Sequence, residues 1–515
     1  MSVVNKVVKN TGFLYAKMGI TLFISLYTTR LILNTLGIED FGIFNIVGGA
    51  IAMLGFLNSA MAGSTQRFMS YSEGKGNKEK QKAIFNISLI LHFFIALIVA
   101  LFLIIMGYFF FNGILNINPE RVFASKVVYG SLVISSVFTM MSVPYDAVLN
   151  AHENMLYYSI VGIIESFLKL GVALALINFS GDKLILYGIL TSSIPLITLT
   201  IMRIYCHKNY EECVISPKLY WENNLRKEMT NFAGWGFASA SSSMVGNYGV
   251  GILLNHFFGT ILNASFGIAA QLNGQIVAFS NTMMKALNPA IVKSEGSGER
   301  KSMLKFTLLG CKFSFFLFSF FAIPFLIETP MILHIWLKNV PSWAVVFCRL
   351  AILRTMIEQL TMPLNTAISA QGEIKSYSLV KTILFLIPLP LIFFLFSEGY
   401  PAYSMLIVTL IIGGIADGIN SLVFAINKCG LLLSDYFEEV IKKVTVVFLI
   451  SFILGLVPLS IIGDSIDRLI FVILVSMLSF LFVLFIFGFS KEEKIQLIIF
   501  IKKLQIKLSR KLNTN

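Results

Sequence analysis

The residues of this chain that could do chemistry are the few charged ones inside long apolar runs. The chain is 56% hydrophobic and 13% charged, against about 25% charged in soluble domains. An ionisable group at membrane depth is costly and is kept where it pairs or faces a wet path. The first apolar run carries Lys17, Arg30 and Asn34 and no carboxylate. The second ends in Gln66-Arg67, the eighth carries Gln271, Asn273, Gln275 and Lys285, the ninth Lys312, and the tenth Arg349, Arg354 and Glu358. Embedded bases outnumber acids, and a cavity lined this way favours an anionic cargo. The planar fork of arginine bonds two phosphate oxygens at once. The candidate cargo-binding residues are therefore Arg30, Arg67, Lys285, Arg349 and Arg354.

The embedded acids Asp417, Glu165, Glu358 and Asp146 are the candidates for carrying a coupling ion. Glu165–Lys169 and Arg354–Glu358 have the i,i+4 spacing of a self-neutralising pair, so pairing and function are equally open readings for them. Asp417 has no base within a turn and lies beside Gly414-x-x-x-Gly418, a spacing suited to close helix packing; it ranks first among the carriers. Arg67, Lys285 and Lys312 also fit a plainer role, snorkelling from span ends.

Other chemistry finds no support. There is no GxxxxGK[ST] phosphate loop, no H-E-x-x-H and no G-x-S-x-G. The five cysteines are scattered without a C-x-x-C pair, and the histidines lack metal spacing. No enzyme activity and no cofactor is expected. The net charge of +13 is spread over short loops, which excludes a nucleic-acid patch and points to membrane topology.

Apolar stretches able to cross about 30 Å of hydrocarbon fall near 12–36, 41–70, 83–111, 123–149, 158–179, 184–205, 229–258, 262–292, 303–327, 342–370, 377–397, 402–427, 443–463 and 469–489. Each must be helical, because lipid satisfies no open backbone. The fold class is an all-α integral membrane protein of about fourteen transmembrane helices. Basic residues gather in alternate loops (Lys75, Lys78, Lys80 and Lys82; Lys293, Arg300 and Lys301), whereas the opposite side holds only Arg121, Lys126, Lys183, Lys338 and Arg468. The positive-inside rule places both termini in the cytoplasm.

The chain also repeats itself. Ser142–Val161 aligns without a gap on Thr361–Val380, matching Pro144 with Pro363, Ala151 with Ala370 and Tyr158 with Tyr377, while Asp146 faces Asn365. Leu33-Asn34 with Gly37 and Phe41-Gly42-Ile43 is answered by Leu254-Asn255 with Gly259 and Phe266-Gly267-Ile268. Ser72-Glu73-Gly74-x-Gly76 is answered by Ser294-Glu295-Gly296-x-Gly298. Six spans separate the partners, an even number, so the halves are parallel. The expected domains are a six-helix lobe 1–205, a cytoplasmic linker 206–228, a second six-helix lobe 229–430, two additional helices 431–489 and a basic cytoplasmic tail 490–515. In the tail, Leu497, Ile501, Leu504 and Leu508 share one helical face, which suits an anionic membrane surface; a frayed tail is the alternative.

On these residues the chain resembles a known group. Thr29-Arg30-Leu31-Ile32-Leu33-Asn34-Thr35-Leu36-Gly37, then Asp40-Phe41-Gly42-Ile43-Phe44, is similar to the first-span signature of bacterial polysaccharide transporters. Gln66-Arg67-Phe68 and the loop Gly74–Asn77 resemble the region after the second span in that group. The group, which includes the Wzx-type O-antigen flippases, belongs to the multidrug/oligosaccharidyl-lipid/polysaccharide (MOP) exporter superfamily. The resemblance implies a flippase in the bacterial inner membrane that moves an undecaprenyl-pyrophosphate-linked oligosaccharide across by alternating access of two lobes. It implies cavity arginines at the pyrophosphate, with Arg30 and Arg67 in the matching region, and a tail groove from the last two helices. Implied partners are the lipid-linked oligosaccharide, membrane lipids and polysaccharide polymerase or assembly proteins, with no nucleic acid. The alternatives are a multidrug and toxin extruder, an antiporter of organic cations with embedded carboxylates in its first lobe, and a polysaccharide-assembly membrane protein without transport.

Overall fold

The computed structural model describes residues 3–52, 55–114, 117–337 and 339–495. Lys338 and the tail positions Leu497, Ile501, Leu504 and Leu508 lie outside them. Every regular element among the described residues is helical. The first copy of the repeat comprises α1 (Val3–Ala52), α2 (Gly55–Gly74), α3 (Lys78–Phe109), α4 (Val122–Ala151), α5 (Met155–Ile177) and α6 (Lys183–Asn209). After the short α7 (Pro217–Tyr220), the second copy runs through α8 (Asn223–Gly296), α9 (Arg300–Leu337), α10 (Ala344–Gln371), α11 (Lys375–Leu386), α12 (Pro388–Ser397), α13 (Ser404–Thr409) and α14 (Asp417–Phe424). The chain closes with α15 (Leu433–Tyr436), α16 (Lys442–Ile461) and α17 (Ile466–Val483).

Eleven of these stretches are long and apolar enough to cross a membrane, several of them joining consecutive helices such as Lys375–Ser397 and Ser404–Cys429. The chain is a multi-pass integral membrane protein. One stretch, Asn223–Gly296, is 74 residues long and contains two spans. Gly259 breaks it with φ 80°, ψ −172°, and the two legs lie side by side, since Gly251 faces Asn263 and Phe266. Gly37 breaks α1 in the same way, with φ 81°, ψ 170°. These glycines are partners in the repeat, and only glycine takes this backbone cheaply. The two sequence copies therefore share a backbone break as well as residues.

Local sequence sets the other ends. Asn77, Asn154 and Asp182 accept backbone N–H groups at the starts of α3, α5 and α6, as N-caps do. On α3, Phe93, Phe94, Leu97, Ile98 and Leu101 are exposed and form a lipid-facing surface. At the side expected to face away from the cytoplasm, Arg121 bonds both Asp40 and Asp182, so one of the few bases expected there is held by acids.

The chain divides into two compact units that do not follow the sequence halves. Unit 1 holds 1–245, 282–306 and 366–385; unit 2 holds 246–281, 307–365 and 386–515. Unit 1 has a core around Phe68, Met69, Phe85, Val148, Leu149, Met202 and Met229. Unit 2 centres on Leu254, Leu333, Phe347, Ile392, Phe396 and Met405. In unit 2 the buried Glu328 accepts from Arg468 at 2.6 and 3.0 Å, so one of the sparse bases of the far side is an internal partner.

Candidate functional site

Within unit 1 the embedded charges converge on Tyr158. This tyrosine lies one turn into α5, whose start is fixed by the Asn154 cap. The Nζ of Lys285 lies 3.6 Å from its ring centroid and that of Lys17 lies 4.3 Å away. Gly162, one turn further along α5, makes the room: a methyl group there would overlap the end of the Lys17 side chain. Asp146, half-buried on α4, lies within electrostatic reach of both lysines. Leu14, Met155 and Ala286 close the floor as a buried apolar cluster against Tyr158. Four helices, α1, α4, α5 and the last leg of α8, thus bring two ammonium groups, one phenol and one carboxylate together.

A lysine over an aromatic face gains about 0.5–2 kcal/mol, more when desolvated. That holds an ammonium in place without neutralising it. Glu165, two turns beyond Tyr158 on α5, also lies within electrostatic reach of Asp146 and Tyr158 and bonds Lys169, so three cations face two carboxylates and the cluster keeps a net positive charge, which suits an anion. The second copy echoes the arrangement more weakly: Tyr377, the partner of Tyr158, accepts from Lys381 at 3.2 Å. Asn365, the partner of Asp146, is neutral and accepts from Ser421 at 3.0 Å. The carboxylate is therefore specific to the first copy.

The remaining site candidates make contacts of their own. Arg30 is exposed on α1 and has no ion pair among the described residues. Arg67 donates to the carbonyls of Ser369 and Ala370 at 3.2 and 2.8 Å, and its guanidinium lies 4.7 Å from the rings of Phe68 and Tyr71. Arg349 donates to Leu326 O at 3.1 Å and Ile327 O at 3.3 Å. Those carbonyls belong to the turn that Pro330 disrupts, because proline brings no N–H for the carbonyl four residues earlier. Arg354 pairs with Glu358 at 2.8 Å and packs on Gly413. Gly414 and Gly418 both face α10, against Arg354, Ile357 and Thr361. Asp417 begins α14 directly after a π-helical turn, Leu410–Ala416. Glu165 bonds Lys169 at 2.7 Å on an exposed face. Lys312 is not at a snorkelling end: its side chain is 1% exposed and bonds Glu493 at 2.6 and 2.8 Å.

Sequence reasoning marks Lys17 and Tyr158 without joining them. The signal is present, since Tyr158 is a repeated residue and Lys17 an embedded base, but they are far apart in the chain and only helix packing pairs them.

No protein-family model matches the chain, and no curated protein matches it in sequence. Solved structures match its fold. A multidrug-resistance MATE-family transporter of the MOP superfamily, in an outward-facing conformation, superposes with TM-score 0.71 at 12% identity, over 84% of this chain and 96% of that one. A MATE protein in the bent conformation gives 0.69 at 14% identity, with the same coverage. A MOP-superfamily transporter from Pyrococcus furiosus, described as having a binding pocket of reverse polarity that suggests a different function, gives 0.68 at 12% over the same shares. The chain has a MATE-like fold.

Proposed function

We propose that this protein is a flippase for an anionic lipid-linked oligosaccharide, carried across the bacterial inner membrane by alternating access, with both termini in the cytoplasm. The observation that carries the reading is the pair Lys17 and Lys285 on the Tyr158 ring, with Asp146 beside them and Glu165 bonded to Lys169. In this reading the ammonium groups receive the pyrophosphate of an undecaprenyl-pyrophosphate carrier, with Arg30 as a further cation on α1. Arg67, Arg349 and Arg354 are already bonded to carbonyls or to Glu358, and we assign them to positioning. The lipid tail lies along the membrane, and polysaccharide polymerase or assembly proteins take the product. The drive is an ion gradient or the membrane potential, worth about 2.3 kcal/mol per charge per 100 mV, with Asp417 and Asp146 as the carriers to test first.

A second reading, antiport of an organic cation, is favoured by the MATE neighbours and by Asp146 in the first copy. One experiment separates the two. Purified protein in proteoliposomes is given a fluorescent lipid-pyrophosphate-linked sugar or ethidium, under imposed proton, sodium or electrical gradients. Lipid transport that falls at least tenfold in Lys17→Met/Lys285→Met, with ethidium left in place, supports the flippase. Ethidium transport abolished by Asp146→Asn and indifferent to both lysines overturns it. Gradient dependence that survives in Asp417→Asn removes Asp417 from coupling.

A further inference from the structure

The repeated Ser-Glu-Gly-x-Gly motif is used by neither cargo nor coupling, and its two copies meet in unit 1. Gly74 ends α2 and Gly296 ends α8. A methyl group on Gly74 would overlap the carbonyl oxygen of Lys293, and one on Gly296 would overlap that of Tyr71. Tyr71 and Lys293 hold the same place, each immediately before Ser-Glu-Gly. The contact is therefore reciprocal. Both helices leave it by the same hydrogen-bonded exit. Gly76 N and Gly298 N each donate to the carbonyl of their motif glutamate at 3.1 Å, and Asn77 N and Glu299 N donate to the motif serines at 3.2 and 2.9 Å. Glycines at φ 67° and 81° complete two matched C-terminal motifs.

Each helix end also grips a corner of the other copy. Lys293 Nζ lies 3.4 Å from Glu73 Oε1 and 3.9 Å from Glu153 Oε1. Glu153 forms the corner after α4, with its other oxygen 3.4 Å from Lys6. In the second copy the corner residue is Gly372, whose place matches Glu153 in the repeat. There Arg67 holds the carbonyls of Ser369 and Ala370. Both corners are left-handed, φ 95° at Gly372 and φ 53° at Glu153. A non-glycine residue costs about 1–2 kcal/mol in that conformation, and Glu153 is kept there with its side chain 4% exposed. Strain retained at one residue points to a role for its side chain.

The acid end of the network stays ionised. Burial acts to raise Glu73, but His152, the Gln81 amide, Lys293 and Lys78 together hold its carboxyl below the usual range. Burial likewise raises Glu212, and its bond to His152, with Lys78 nearby, holds it below that range.

We propose that the paired motifs form a latch between the two copies at their basic, expected cytoplasmic end, and that the protein must break it to reach its other conformation. Gly74 and Gly296 let the backbones touch, and Lys293 bridging Glu73 and Glu153 holds them. The proposal needs the copies to move against each other, as alternating access requires, but not a particular cargo.

The test is hydrogen–deuterium exchange on the full chain in lipid nanodiscs, read at residues 71–77 and 293–299, with no transport measurement. Lys293→Ala should speed exchange in 71–77 about tenfold, the effect of about 1.4 kcal/mol on the closed state, and Gly296→Ala should speed it further. Lys301→Ala, which removes a nearby charge outside the network, should match wild type. Wild-type exchange in both Lys293→Ala and Gly296→Ala, in protein that elutes as a single species, overturns the latch. So does an equal effect of Lys301→Ala. If Gly296→Ala does not fold, Lys293→Ala and Glu73→Gln decide by the same readout.

Discussion

Arg349 gives the sharpest separation of a structural role from a cargo role. Pro330 leaves Leu326 O without its helical donor, and the turn departs from helical geometry at Glu328, φ −104°, ψ 27°. Arg349 supplies the missing donors to Leu326 O and Ile327 O. In Arg349→Leu both carbonyls lose a charged donor at a depth where lipid offers none. An orphaned buried group costs about 1–3 kcal/mol, so the pair should lose about 3 kcal/mol, set low because Arg349 is half-buried. At about 2 °C or less per kcal/mol for a large chain, the unfolding midpoint should fall by about 5 °C. The assay is a thermal scan with a thiol-reactive fluorophore, since all five cysteines are free and buried. Pro330→Ala restores an N–H for Leu326 O, so Pro330→Ala/Arg349→Leu should recover about half the loss. An unchanged midpoint in Arg349→Leu, or no recovery in the double variant, refutes this account. An unchanged midpoint with lost lipid transport would instead place the cargo at Arg349.

Three further outcomes rest on the ion pairs and the strained corner. Glu493→Gln leaves the buried Lys312 ammonium uncompensated, and breaking a buried pair costs about 3–5 kcal/mol; the same thermal scan should show that loss, and Lys312→Met/Glu493→Gln should recover most of it. Glu73 is held below its ordinary value of 4.5, so its contribution is present above that pH and lost as the pH falls through the lower folded value; the midpoint should be flat from neutral pH down to about 5 and fall more acidic, and Glu73→Gln should flatten the acid limb. Glu153→Gly relieves the left-handed strain as it removes the carboxylate, so it should melt higher than Glu153→Ala yet show the same loosened exchange in 293–299. Equal midpoints for the two would mean that the corner is unstrained.

The periodic features of the chain were legible in its residues. The apolar runs had to become membrane helices because lipid forbids open backbone, and the duplication could be read by aligning Pro144, Ala151 and Tyr158 on Pro363, Ala370 and Tyr377. The matched breaks at Gly37 and Gly259 show that the repeat extends to backbone conformation. The pairs Glu165–Lys169 and Arg354–Glu358 were legible as i,i+4 spacings, but the partners of the other embedded bases were not. Arg67, Arg349 and Arg354 are alike in sequence as embedded bases, yet two of them bond backbone carbonyls and one an acid a turn away. Backbone acceptors carry no residue code: nothing in the chain marked Ser369 or Ala370, and Pro330 marked an open carbonyl at Leu326 without saying which side chain would meet it. Lys17 and Lys285 became a pair only because four helices pack around Tyr158, with Gly162 clearing the space. Which glutamate bears a left-handed backbone was likewise decided by packing, for Glu153 and Gly372 differ in type and agree only in φ. Composition and period depend on residues near in sequence, whereas pairing of sparse charges depends on which helix faces meet, and that is set by the whole fold at once.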